Sequence, residues 1–203
     1  MNKSARSLRI NIRQARRHLS RIQQHQHSRI ISRRIIHSRF YRYSRHIALY
    51  LSADGEVDLS PLINKIHGHY KKCYLPVILS RENGIMAFAP YNKNTRLRKN
   101  SFGILEPIYQ KKHLKSAWQL DLVLAPLVAF DPQGHRMGMG GGYYDRALSH
   151  LRRQGLNSRH TRKHHPLFVG IAHELQQVDT LQAQPWDIPL HAIVTEKGLR
   201  YFY

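Results

Sequence analysis

Residues 120–130, LDLVLAPLVAF, form a near-continuous apolar run, and the chain then enters RMGMGGGYYDR at residues 136–146. A strand wet on one face alternates polar and apolar residues. A run without alternation is what a strand covered on both faces requires, and such strands belong to parallel sheets with helices on either side. The remainder of the chain has to supply those helices.

It does so in alternation. Leu8, Ile12, Ala15, Leu19 and Ile22 recur at helical spacing, which predicts one amphipathic helix over residues 4–24. Ile31, Ile35 and Ile36 predict a second helix, and HIALYLS (46–52) a short strand before a turn at Asp54–Gly55. In VDLSPLINKIHGHY the residues Leu59, Leu62, Ile63 and Ile66 share a helical face, with Ser60 as N-cap and Pro61 at the first helical position. CYLPVIL and GIMAFAPY read as strands, and a basic polar stretch follows from Asn92 to Asn100. After the glycines come YYDRALSHLRRQ as a helix, a polar loop over 155–166, the strand LFVGIAH and a final strand near HAIVTE. The expected fold is α/β, a three-layer α/β/α sandwich with a mainly parallel central sheet, Rossmann-like, as one domain over residues 1–203.

Four of the five residues Gly138, Met139, Gly140, Gly141 and Gly142 are glycine, between a strand and a helix start. Glycines let backbone N–H groups approach phosphate oxygens, and the helix dipole adds partial positive charge. The Walker pattern is excluded, because the loop lacks its lysine and hydroxyl. The dinucleotide fingerprint would need glycine where Tyr143 stands. A turn in which glycine merely avoids strain is the other reading. Arg136 and Arg146 bracket the loop and can pair with phosphates. Asp145 is either a favourable first-turn acid or a hard oxygen ligand for Mg²⁺ beside bound phosphates.

Composition agrees with an anion-binding globular chain. Thirty-three Lys and Arg against twelve Asp and Glu leave a formal charge of +21 over 203 residues, a field that draws in nucleotides, polyanionic metabolites or nucleic acid. A chain of this length buries about 70% of its unfolded surface. No apolar run approaches the roughly 18 residues a bilayer span needs. Cys73 is the single cysteine, so no internal disulfide forms, and its setting reads as an inert core thiol. The Arg- and Ser-rich N-terminus has no acid before Asp54, like an organelle transit peptide, although its helical periodicity gives it a structural role instead. The fifteen histidines, including HGH at 67 and HH at 164, read as surface residues.

The segment PLVAFDPQGHRMGMGGGYYDRAL, residues 126–148, closely resembles the signature of the 5-formyltetrahydrofolate cyclo-ligase family. SLRINIRQARRHLS is similar to that family's opening helix, LYLSADGEVDLSPLI to its folate-side segment, and VGIAHELQQVD with PWDIPLHAIVTE to its closing segment. The resemblance implies an ATP- and Mg²⁺-dependent closure of 5-formyltetrahydrofolate to 5,10-methenyltetrahydrofolate, with ADP and phosphate as the other products. It implies an ATP loop of Arg136, Met137, Gly138, Met139, Gly140, Gly141, Gly142, Tyr143 and Tyr144, with Arg136 and Tyr144 acting at the reacting atoms. It implies metal-associated carboxylates at Asp145 and Asp187, and folate contacts from Leu51, Glu56 and Tyr143. Asp187 reads otherwise as a turn aspartate between prolines, and Glu56 as an exposed turn acid.

One position departs from the family pattern. A lysine is usual four residues before the arginine that Arg9 matches, and here that position is Ala5. Arg6 points about 100° away on a helix, and Arg16 lies about 16 Å farther along the axis. Lys3 is therefore expected to supply the missing ATP contact. Met137 stands where leucine is usual and keeps its volume. A basic rim over residues 91–100 is either a solvated loop or a seat for a polyglutamate tail. A monomeric, cytoplasmic enzyme is expected, with no membrane and no dedicated nucleic-acid partner. Two rivals remain: another ATP-dependent enzyme on this fold, and a basic nucleic-acid binder that has lost catalysis.

Overall fold

The computed structural model describes residues 3–100, 103–154 and 165–202. Helix α1 (Lys3–Arg17) is followed by α2 (Arg21–His37) and the short α3 (Arg39–Tyr43). The predicted single helix over 4–24 is thus broken. Ser20 caps α2 by accepting from the Gln23 N–H while the Gln23 side chain accepts from the Ser20 N–H, a reciprocal cap that ends one helix and starts the next. Beyond the break the apolar stripe no longer holds, with Ile22 71% exposed, and before it, within α1, Arg16 rather than Ala15 is buried.

The chain continues through β1 (His46–Ala48), α4 (Ser60–Gly68), β2 (Lys72–Ser80), β3 (Ile85–Tyr91), β4 (Leu97–Lys99) and β5 (Leu105–Pro107). Leu59, not Ser60, occupies the cap of α4, because the Asp58 carboxylate accepts from the Ser60 N–H and hydroxyl. Then come β6 (Leu122–Pro126), β7 (Ala129–Phe130), β8 (Arg136–Met137), α5 (Tyr143–Ala147), β9 (Leu167–Ile171), β10 (Ala192–Val194) and β11 (Leu199–Tyr201). The 120–130 run is therefore two strands, with β7 turning aside to pair with β8. The expected helix over 143–154 is one α-helical turn, α5, followed by a 3₁₀ segment. The basic stretch 92–100 contains β4, and β11 lies beyond the last predicted strand. Most of the polar loop over 155–166 lies outside the described residues.

Seven strands form the main sheet in the order β11-β10-β9-β6-β1-β2-β3. Pairings from β10 through β2 are parallel, and the two edges are antiparallel. Alternate residues of β6 face opposite cores. Leu122 and Leu124 pack with Ile31, Ile35, Leu62 and Ile66 of α2 and α4, while Val123 and Ala125 pack with Leu148 and Phe168 on the other face. This is the expected three-layer α/β arrangement. Cys73 is buried, and burial pushes its thiol up to about 12, consistent with an inert core residue. Among the described residues no helix is long and apolar enough to cross a membrane.

The topology fixes where a ligand can sit. Chain order reverses between β1, which leads on to β2, and β6, which lies on its other side. At such a switch point the loops leaving neighbouring carboxyl ends diverge and open a crevice. The turn after β1 carries Glu56, and the segment after β6 carries the glycine loop.

Candidate active site

The glycine loop lies at the surface, with Met139 57% exposed and Gly138, Gly140 and Gly141 open to solvent. Gly140 (φ 97°) and Gly142 (φ 64°) adopt left-handed backbone that other residues rarely take. Gly142 caps α5, whose first turn holds Asp145. From the opposite side Arg9 of α1 donates to the Gly138 carbonyl at 2.9 Å and to its own Ala5 carbonyl at 3.4 Å. Leu8 and Ile12 pack with Met137, Val128, Ala129 and Leu181, so α1 is seated against the base of the loop.

Arg136 donates to Asp145 Oδ1 at 2.7 Å and to the Ile188 carbonyl at 2.7 Å, with its guanidinium over the Phe168 ring. Asp145 Oδ1 also accepts from the Ile188 N–H at 3.0 Å. The peptide joining Asp187 to Ile188 is thereby held on Asp145, which brings the backbone that carries Asp187 to the start of α5. The Asp187 side chain accepts through Oδ2 from the Gln184 N–H at 2.8 Å. Each acid retains a second oxygen with no hydrogen bond from the described residues, a hard donor of the type that a cation of the Mg²⁺ class takes. Arg146 donates to the Gly84 carbonyl at 3.1 Å and to Gly141, and lies over the Tyr143 ring. Both flanking arginines thus hold protein groups.

The turn after β1 that carries Asp54 and Glu56 is anchored from beneath by Arg16, which is only 1% exposed. Arg16 donates to the Asp54 carbonyl at 2.7 Å, to Asp54 Oδ2 at 2.9 Å and to the Leu127 carbonyl at 3.2 Å, and sits 3.7 Å from Glu56 Oε1. Arg13 and Arg17 also hold Asp54. Burial raises the Glu56 pKa against the pull of Arg16. Leu51 packs on the main core beside this turn. Burial, and then the Glu56 charge, push the Tyr144 hydroxyl well above its ordinary value, and the same charge acts on Tyr50. Tyr144 therefore stays protonated, stacked on Phe168 with ring centroids 6.0 Å apart. Glu56 thus lies near enough to act on Tyr144 although 88 positions separate them. The side chain of Lys3 lies outside the described residues.

A family model of the 5-formyltetrahydrofolate cyclo-ligase family matches residues 1–196. The chain belongs to this family. The 5-formyltetrahydrofolate cyclo-ligase of Haemophilus influenzae is 35% identical over 187 residues, covering 92% of this chain and 95% of the relative. The cyclo-ligase of Escherichia coli K12 is 38% identical over 184 residues, covering 91% and 96%. The solution structure of Aquifex aeolicus 5,10-methenyltetrahydrofolate synthetase superposes with a TM-score of 0.79 at 29% identity, covering 97% of this chain and 92% of that one. As a member of the cyclo-ligase family the chain is a ligase. The sequence alone did not reveal that Arg16 supports the folate-side turn. A buried basic position on the apolar side of α1 was its trace, one that the Ala15 stripe obscured.

Proposed function

We propose that the chain uses ATP to close 5-formyltetrahydrofolate into 5,10-methenyltetrahydrofolate, releasing ADP and phosphate. The observation that carries this reading is that one helix, α1, joins the two segments: Arg9 donates to the Gly138 carbonyl of the glycine loop, and Arg16 holds Asp54 and lies 3.7 Å from Glu56, a carboxylate suited to a pterin. The formyl oxygen is a poor leaving group. Transfer of the γ-phosphoryl group to it gives an imidate-like phosphate. The neighbouring anilino nitrogen then forms the new C–N bond, loses its proton, and the C–O bond breaks as phosphate departs. Such chemistry asks the protein mainly for positioning and charge stabilisation.

Each residue has a part in that scheme. Backbone N–H groups from Gly138 to Gly142, with Arg9 beside them, receive the nucleotide phosphates. Asp145 and Asp187 hold Mg²⁺, which neutralises charge on the phosphate oxygens. Arg136 keeps Asp145 in place. Tyr144 donates its retained proton as a hydrogen bond within the site, Glu56 accepts from pterin N–H groups, and Leu51 and Tyr143 border the ring system. Lys3 adds charge near the phosphates. The protein acts as a cytoplasmic monomer and also accepts polyglutamylated folate.

Purified protein with MgATP and 5-formyltetrahydrofolate is expected to develop the near-ultraviolet absorbance of the methenyl product. ATP binding with no such absorbance would point to another acceptor. Failure to bind either ligand, with salt-sensitive RNA binding, would favour the nucleic-acid reading.

A further inference from the structure

At the same carboxyl end of the sheet lies a polar cluster that the ring-closing scheme above leaves unused. His27 comes from α2, His173 from the segment after β9, and Glu196 from the segment after β10. Their ligand atoms all lie within 4.8 Å of one another. His27 Nδ1 is 2.9 Å from His173 Nδ1 and 3.8 Å from Glu196 Oε2. We propose that His27, His173 and Glu196 form a transition-metal site of the zinc class, separate from the Asp145–Asp187 pair.

The donor set and its surroundings support this. Two imidazoles and one carboxylate are a borderline-soft set that Mg²⁺ disfavours and Zn²⁺ accepts, with a fourth position left for water. Bonds of about 2.0–2.1 Å in a tetrahedron put neighbouring ligand atoms about 3.3 Å apart. The two separations from His27, 2.9 and 3.8 Å, bracket that value and the third is within 4.8 Å, so shifts of no more than about 1.5 Å complete the geometry. His173 Nε2 contacts the Gly55 carbonyl at 3.2 Å. A carbonyl only accepts, so Nε2 carries the proton and the Nδ1 lone pair accepts from the His27 Nδ1–H; an ion takes both Nδ1 atoms once His27 moves that proton to Nε2. The Glu196 carboxylate is oriented by the Glu174 N–H, which it receives at 3.0 Å. His173 is fully buried, whereas His27 and Glu196 are partly open and give an ion a way in. Positive neighbours oppose the ion: Arg16 faces His173, and Arg34 donates to the Glu196 carbonyl. Glu196 offsets part of that field.

An ion there would tie α2 to β9 and β10 and hold Gly55, the residue before Glu56. The test uses the full, untagged chain, stripped with chelator and titrated with Co²⁺. One equivalent is expected to give visible d–d absorption that Zn²⁺ displaces, together with a higher unfolding temperature. His27→Ala should abolish the absorption, and Glu196→Gln should weaken binding by at least about tenfold. Cooperative unfolding checks that each variant folds, and Glu196→Gln serves if His27→Ala does not. His25→Ala, a change at an exposed α2 histidine, should alter nothing. No one-equivalent signal in the unaltered chain, or an undiminished signal in either site variant, would overturn the proposal.

Discussion

Arg136 and Asp145 meet at 2.7 Å across the base of the glycine loop, and through the Ile188 N–H the same carboxylate oxygen holds the segment that carries Asp187. Asp145→Asn keeps an oxygen for those bonds but replaces the remaining oxygen, proposed above to face Mg²⁺, with N–H donors. Turnover is expected to fall at least about 100-fold, equivalent to ~2.7 kcal/mol of barrier. Unfolding should stay cooperative with a lower midpoint, because buried Arg136 loses its counter-charge. Steady-state kinetics over a Mg²⁺ series, with thermal unfolding alongside, checks both. An unimpaired variant would remove Asp145 from the chemistry.

Gly140→Ala isolates the backbone's part in the loop. An added Cβ would meet only the Arg9 guanidinium, at an ordinary 4.0 Å, so the effect comes from the φ of 97°. Strain of about 1–3 kcal/mol is expected. It should appear as a raised KM for ATP with an unchanged KM for folate.

Gly170→Ala tests the packing of the sheet away from the loop. The new methyl group would lie 2.7–2.8 Å from side-chain carbons of Ile193, Leu190 and Leu127. Overpacking of about 1–3 kcal/mol is expected in chemical denaturation. Kinetic constants at 25 °C should change little.

Arg16→Met removes the buried cation under the folate-side turn. A loss of about 3 kcal/mol is expected, since Glu56 is left without its arginine while Asp54 keeps Arg13 and Arg17. The KM for folate should rise more than the KM for ATP. Equal changes in both would separate Arg16 from the folate side.

The two acids of that turn respond oppositely to pH. At Asp54 burial acts to raise the pKa, but hydrogen bonds from Arg13, Arg17 and Arg16 outweigh it and the net shift is downward. An acid lowered on folding contributes stability that is full above its unfolded-state value and is lost as pH falls through the folded one. The unfolding midpoint should therefore drop below about pH 4, and less steeply in Asp54→Asn. Glu56 is shifted upward by burial, so acid protonates it before an ordinary glutamate. The KM for folate is expected to rise on the acid side at a pH where the KM for ATP is still flat.

The apolar run at 120–130, the alternation of helix and strand patterns and the glycine cluster were enough for the sequence to determine an α/β three-layer fold and the position of its loop. Those signals are local, because a strand covered on both faces and a left-handed turn each restrict the residues at their own positions. The split of the N-terminal helix was also written locally, in Ser20 and Gln23, but the apolar period running through it masked the cap. Tertiary structure alone decided which distant groups meet: Arg16 beneath Asp54 and Glu56, Ile188 on Asp145, and His27 beside His173. Parallel strands bring residues together across crossovers of tens of positions, and no sequence spacing encodes those distances. The charge balance and burial that set the behaviour of Glu56 and Tyr144 arise only once these segments pack together.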